Sequence, residues 1–195
     1  WCARYTVPKA QQIRVVSERI RESLIQWKPE LKNKIMVLPI FIDIKKIQSA
    51  RAKTDARQLY PEFHTRIVIA SRLTKEKNIP LALQACAPIF REDRGIGLII
   101  AGDGPERESL ATLVHVLKIE ANIRFVGGME SGDLFSLYKT ADLFLLTSQY
   151  EGYGRTVIEA MAAGVPVIMT DVGIAGELLI NDLDGIVVPV GDERR

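Results

Sequence analysis

The chain has 195 residues, 47% apolar and 26% charged, which are the proportions of a folded globular protein with one full core and a smaller appendage. No apolar run approaches the roughly 20 residues that cross a bilayer, no charged-then-apolar leader opens the chain, and two cysteines without CxxC spacing exclude a disulfide scaffold. The net charge of +2 hides an asymmetry: residues 1 to 60 carry 13 Lys/Arg against 5 Asp/Glu, and residues 61 to 195 carry 13 against 19.

In chain order, Gln12 to Ser17 predicts a strand, Glu18 to Trp27 an amphipathic helix, and Lys34 to Leu38 a second strand. One strand-helix-strand unit is too small to bury its own faces, so residues 1–43 are expected to be the remnant of a preceding domain. Its basic residues read first as a solvated face, with contact to anionic lipid or a phosphorylated acceptor as the alternative. Residues 44–64, poor in core-type side chains, read as a linker.

From Thr65 onward, short apolar or β-branched runs alternate with longer helical patterns. The strand candidates are Ile67 to Ala70, Gly97 to Ala101, Ile123 to Val126, Leu143 to Leu146, Val165 to Met169 and Gly185 to Val188. Helices are predicted at 78–91, 106–117, 132–140, 155–163 and 174–180. Cys86 falls in the apolar stretch of the first of these and is expected in the core. This alternation predicts an α/β fold over residues 65–195: a Rossmann-like, doubly wound parallel sheet that binds ligands at the carboxyl ends of its strands. The chain starts at Trp1 and stops at Arg195, just past the turn-like Val190-Gly191-Asp192, so both ends are expected to be cut.

Glu151-Gly152-Tyr153-Gly154-Arg155-Thr156-Val157-Ile158-Glu159 follows the fourth of these strands and opens a helix. Its glycines permit close backbone approach, and the amides of Gly154, Arg155 and Thr156 are unpaired donors of a first helical turn, where the dipole favours an anion such as a diphosphate. On one regular helix the two glutamates would stand ~12 Å apart, beyond the roughly 5 to 9.5 Å of glycosidase carboxylate pairs. That spacing suits a long ligand with hydroxyls at both ends and phosphate between. Glu159 lies among Val157, Ile158, Ala160 and Met161 on a helix with almost no polar face, so its carboxylate is expected to be buried and partnered.

This segment resembles the Glu-x7-Glu hallmark of the retaining, two-domain GT-B glycosyltransferases of family 4. Further words agree in order: Ser71 to Asn78, Ala101-Gly102-Asp103-Gly104-Pro105, Ala141-Asp142, Glu159 to Val167 and Asp184 to Pro189. The resemblance covers residues 12 to 192 and identifies residues 65–195 as the C-terminal, donor-binding half. It assigns Glu151 to the donor sugar and Glu159 to the ribose, with Gly152, Tyr153, Gly154, Arg155 and Thr156 around them. Arg72 and Lys77 match the pair that binds the diphosphate, Lys75 being a competitor for the second role. Val126, Gly127 and Gly128-Met129 match the loop that faces the nucleobase.

Other features carry less. Gly102 to Pro105 is explained as a tight strand-to-helix turn with Pro at the first helical position, and lacks GxGxxG spacing. His64 and His115 have no ligand spacing. Asp171, Gly173 and Glu177 match a family Asp-Val-Gly-Gly-Ile-Pro-Glu stretch in which Ile174 and Gly176 replace the second Gly and the Pro. Leu38 to Asp43 departs from the family's Pro-Asn-Gly-Val-Asp crossing between domains.

The resemblance implies transfer of a sugar from a UDP-, GDP- or ADP-sugar to an acceptor hydroxyl with retention, the departing phosphate assisting a front-face attack. No cofactor and no metal are implied by the resemblance: Arg72, Lys77 and the amides of residues 154–156 would stabilise the leaving group. A glycan or lipid-linked acceptor would sit on the N-terminal domain, so the chain alone is expected to bind donor weakly and transfer nothing. No nucleic-acid partner is expected. The cysteine usage fits a cytoplasmic setting, and the basic opening segment fits peripheral contact of the full-length protein with a membrane face. Two alternatives stay open: a GT-B-like nucleotide-sugar epimerase, and a non-catalytic nucleotide-binding module.

Overall fold

A computed structural model describes residues 2–51 and 55–191; Trp1, part of the expected linker at 52–54, and the expected C-terminal cut at 192–195 lie outside the described residues. The first unit holds α1 (Cys2–Thr6), β1 (Ile13–Val15), α2 (Glu18–Trp27) and β2 (Ile35–Val37), with 3-10 turns at Val7–Lys9 and Pro29–Lys34. β1 and β2 pair in parallel, Ile13 opposite Ile35, as a strand-helix-strand unit requires. Ser17 starts α2 by accepting a hydrogen bond from the Ile20 amide. Among its side chains, Val15 and Leu31 are the buried hydrophobics.

The segment expected as linker is more ordered than its composition suggests. It forms α3 (Ile44–Ser49) and α4 (Ala56–Leu59), capped by the Asp43 and Asp55 carboxylates. Ile47, Ala56 and Phe63 are each 1% exposed. Lys139 donates to the carbonyls of Gln48 and Ala50, and the Ala56 amide to the Thr140 hydroxyl, so the segment is fastened to the domain that follows.

That domain contains β3 (Thr65–Ala70), α5 (Ile79–Glu92), β4 (Ile96–Ala101), α6 (Arg107–Leu117), β5 (Ile123–Gly127), α7 (Ser131–Thr140), β6 (Leu143–Leu146), α8 (Arg155–Ala162), β7 (Val167–Thr170) and β8 (Ile186–Val188). The six strands form one parallel sheet in the order β5-β4-β3-β6-β7-β8. Parallel strands are covered on both faces, which is why they read as unbroken apolar runs; Val68, Leu98, Ile99 and Ile100 are 0% exposed. Val68, Ile99, Phe144 and Val167 point to a core with α7, α8 and the 44–60 segment. Ile67, Ile69, Leu98 and Ile100 point to a second core with α5 and α6. Burying each such side chain contributes about 1.5–3 kcal/mol.

One motif word, Ala141-Asp142, finds a structural duty at the amino ends of the strands. Asp142 accepts from the Arg66 amide at 2.8 Å and from its buried guanidinium at 3.4 Å, tying the entry of β6 to that of β3. His64 and His115, both exposed, pair with Asp93 and Glu120. The helix expected at 174–180 does not form. Gly173 (φ 56°) and Gly176 (φ 78°) take left-handed conformations that break any helical run, and turns with isolated bridges occupy the segment.

Candidate functional site

Numbered from β3, the strand order is 3-2-1-4-5-6, so the order of the strands reverses between β3 and β6 while all of them stay parallel. At such a switch point the loops leaving the two central strands part and open a crevice. Here those loops are laced together. The Gln149 amide donates to the Glu76 carbonyl at 2.8 Å, and the Thr147 hydroxyl to the Lys77 carbonyl at 3.2 Å. Lys77 Nζ lies 2.7 Å from Glu151 Oε1, with the two side chains 14% and 12% exposed. Ser148 Oγ donates to the same carboxylate oxygen at 2.8 Å, and Thr170 Oγ1 fixes the Ser148 carbonyl at 2.6 Å.

Glu151 lies in the loop ahead of α8, which begins at Arg155 after Gly154 turns the chain at φ 94°. The amides of Gly154, Arg155 and Thr156 find no acceptor among the described residues, as the opening turn of a helix leaves them. Glu159, one turn further on, is 5% exposed and accepts from Arg155 Nε at 2.7 Å, matching the expectation of a buried, partnered carboxylate. Its charge and burial together push the Tyr138 phenol well above its usual range, burial being the larger cause.

A cavity of about 310 Å³ opens over this region, lined by Ser71 and Arg72 after β3, Gly102 and Asp103 after β4, Met129 after β5, and Thr156 at the start of α8. Arg72 extends to solvent, 76% exposed, with Glu76 at 3.6 Å. The Thr74 hydroxyl donates to Glu76 at 2.7 Å and, with the Glu76 backbone amide, Arg72 and Lys77, holds that carboxyl below its usual range. Gly102 has no alternative here: a Cβ would meet the Ser71 carbonyl at 1.8 Å.

The structure thus brings Arg72 and Thr156 to the cavity, and sets Lys77, Glu151 to Gly154 and Glu159 at the same edge of the sheet without lining it. Lys75 turns elsewhere, to a small pocket with Pro80 and Glu106. Of the loop after β5, Gly128 and Met129 face the cavity; Gly127 ends β5, its carbonyl held by the Gly102 amide at 2.7 Å. Val126 points instead into a separate pocket of about 240 Å³ with Tyr60, Met129 and Leu137. Sequence reasoning gave no individual role to Ser71, whose buried hydroxyl has no partner among the described residues, or to Glu76, Thr147 and Ser148. The available signal was a polar residue directly after an apolar strand run. Among the described residues no three His, Cys, Asp or Glu side chains stand together as a metal site, and no helix is long and apolar enough to cross a membrane.

A family model described as glycosyl transferases group 1 matches residues 51–195. An uncharacterized glycosyltransferase of Methanocaldococcus jannaschii is 36% identical over 120 residues, 62% of this chain and 30% of the relative. The alpha-monoglucosyldiacylglycerol synthase of Streptococcus pneumoniae is 30% identical over 158 residues, 78% of this chain and 35% of the synthase. The chain therefore spans about a third of the length of these relatives. The crystal structure of Anabaena HepE in complex with UDP and glucose superimposes with a TM-score of 0.82 at 24% identity, over 95% of this chain and 51% of that one. A crystallised C-terminal domain of a group 1 family protein from Francisella tularensis matches with a TM-score of 0.67 at 22% identity, over 78% of this chain and 82% of that domain.

Proposed function

Because the chain belongs to the group 1 glycosyl transferases, we propose that residues 65–195 are the donor-binding half of a GT-B transferase of family 4, one that moves a sugar from a nucleoside diphosphate sugar to an acceptor hydroxyl with retention. One observation carries this reading: Lys77, Glu151 and the unpartnered amides of residues 154–156 meet at the carboxyl ends of β3 and β6, where an anion with a hydroxyl-bearing neighbour would be held. The diphosphate would lie between Arg72, Lys77 and the first turn of α8. Their positive charge would stabilise the leaving group where it develops. Glu151 would accept from the sugar hydroxyls and Glu159 from the ribose, with the base against Gly128 and Met129. A glycan or lipid-linked hydroxyl would approach from a preceding domain; the Streptococcus relative is by name an alpha-monoglucosyldiacylglycerol synthase, which supports a lipid acceptor as one member of that class.

Titrating UDP-, GDP- and ADP-sugars onto the protein by ligand-observed NMR tests the reading. One series should bind, and Glu159→Ala should remove the contribution of the ribose. Binding unaltered by Glu159→Ala would sink the assignment. Epimer formed without acceptor would favour an epimerase, and equal affinity for nucleotide and nucleotide-sugar would favour a plain nucleotide-binding module.

A further inference from the structure

The stretch from Asp171 to Glu177 has no part in the donor site as proposed, yet it connects that site to the first unit. Glu177 receives two backbone hydrogen bonds from α2: the Glu18 amide at 2.9 Å on one oxygen and the Arg19 amide at 2.8 Å on the other. These are amides that the helix cannot pair internally, and the helix dipole favours a carboxylate beside them. Arg19 answers in the other direction. Its guanidinium donates to the Asp171 carbonyl at 3.1 Å, to the Asp171 carboxylate and to the Ala175 carbonyl at 2.9 Å. Ser17, 1% exposed, adds a long hydrogen bond to the Gly152 carbonyl at 3.5 Å.

The far side of the same stretch rests on the sugar-facing loop. At Gly173 a Cβ would stand 2.5 Å from the Tyr153 carbonyl and 3.0 Å from Glu151 Cβ, so the backbone there is in direct contact with both residues. Tyr153 is buried, and burial, with a smaller contribution from the Glu177 charge, pushes its phenol up. Contacts therefore run without a break from the first turn of α2 through Glu177 and Gly173 to Tyr153 and Glu151.

We infer that Glu177 and Arg19 are positioning residues: their clasp between α2 and the stretch 171–177 sets the place of the Glu151–Gly154 loop, so that recognition of the donor's sugar depends on two side chains that do not touch the donor. The part concerning the sugar rests on the reading of Glu151 given above. The clasp itself rests only on the contacts described.

The purified protein and its Glu177→Ala, Glu177→Gln and Arg19→Ala variants separate the two. Hydrogen exchange needs no ligand: residues 151–156 should exchange at least about tenfold faster in Glu177→Ala and Arg19→Ala, less so in Glu177→Gln, while β3 and β4 are unchanged. Affinities for UDP-glucose, GDP-mannose and ADP-glucose, each measured against its free nucleotide, give the second arm. Nucleotide affinity should stay within about twofold, and the preference for the sugar conjugate should fall about tenfold, about 1.4 kcal/mol. Unchanged exchange at 151–156, or acceleration spread equally over β3 and β4, overturns the clasp. If the wild type binds none of the three donors, the donor reading falls and the exchange arm still decides the clasp. If exchange responds but sugar preference does not, the clasp holds the loop without governing recognition, and the inference fails at that step.

Discussion

Lys77 and Glu151 neutralise each other at 2.7 Å in a largely buried position, and Arg72 with Glu76 and Arg155 with Glu159 repeat the pattern nearby. Each cation proposed for phosphate thus already has a carboxylate, and a diphosphate must compete for Lys77. Replacing Glu151 by the isosteric Gln removes the competitor while leaving an oxygen for Ser148. Two opposed effects are expected. The unliganded protein should lose roughly 1–3 kcal/mol in urea denaturation, less than the 3–5 kcal/mol of a wholly buried pair because the amide still accepts a hydrogen bond. Free nucleotide should bind about three- to tenfold tighter, while the sugar conjugate loses its advantage over the nucleotide. Weaker nucleotide binding in Glu151→Gln would show that the carboxylate orients Lys77 rather than competing for it. The burial and pairing of Glu159 were legible because an apolar setting is a property of a short segment. The pairing of Lys77 with Glu151 was not, since 74 residues separate them and only the switch point of the sheet brings them together.

Among the elements, the sheet strands of residues 65–188 and their intervening helices were legible wherever burial on both faces forced an apolar run, as in Ile67 to Ala70 and Leu98 to Ile100. The 44–64 segment was not, because its fully buried side chains, Ile47, Ala56 and Phe63, are too sparse to establish a period of helix or strand. Residues 174–180 misled in the opposite way: Ile174, Ala175, Leu178 and Leu179 have helical spacing, but the backbone at Gly176 turns left-handed and ends it. α5 tolerates a comparable insult. Pro88 sits inside it and removes the amide that would bond the Gln84 carbonyl, but both residues are on the exposed face, where water can serve that carbonyl. Pro88→Ala restores the bond and relieves the ring's contact with the preceding turn. A gain of about 1–3 kcal/mol in unfolding free energy is expected; a loss would mean that the helix is bent at Pro88 to fit the sheet.

At the scale of the molecule, two units of unlike construction are joined by polar contacts and by Val16, Ile40 and Ile42, partly buried hydrophobics packed against the first core of the sheet domain. The sheet domain buries both faces of six strands, whereas β1 and β2 expose Arg14 and Met36 and bury little beyond Val15. The hydrogen bonds of Glu177 and Arg19, most of them exposed, and the single part-buried bond from Ser17 link α2 to the domain. Net charges of opposite sign in residues 1–60 and 61–195 add a general attraction. Such a junction opens before the sheet does. In native-state hydrogen exchange, the amides of β1 and β2 should exchange on the order of 100-fold faster than those of β3 and β4. Raising the salt from 0.1 to 1 M shortens the screening length from about 10 to about 3 Å. It should speed exchange in β1 and β2 several-fold and leave β3 and β4 unaffected, because apolar burial is not weakened by sodium chloride. Equal protection of the four strands, insensitive to salt, would mean that the first unit unfolds only with the sheet. The Glu151–Gly154 loop would then be held by the whole fold rather than by one clasp.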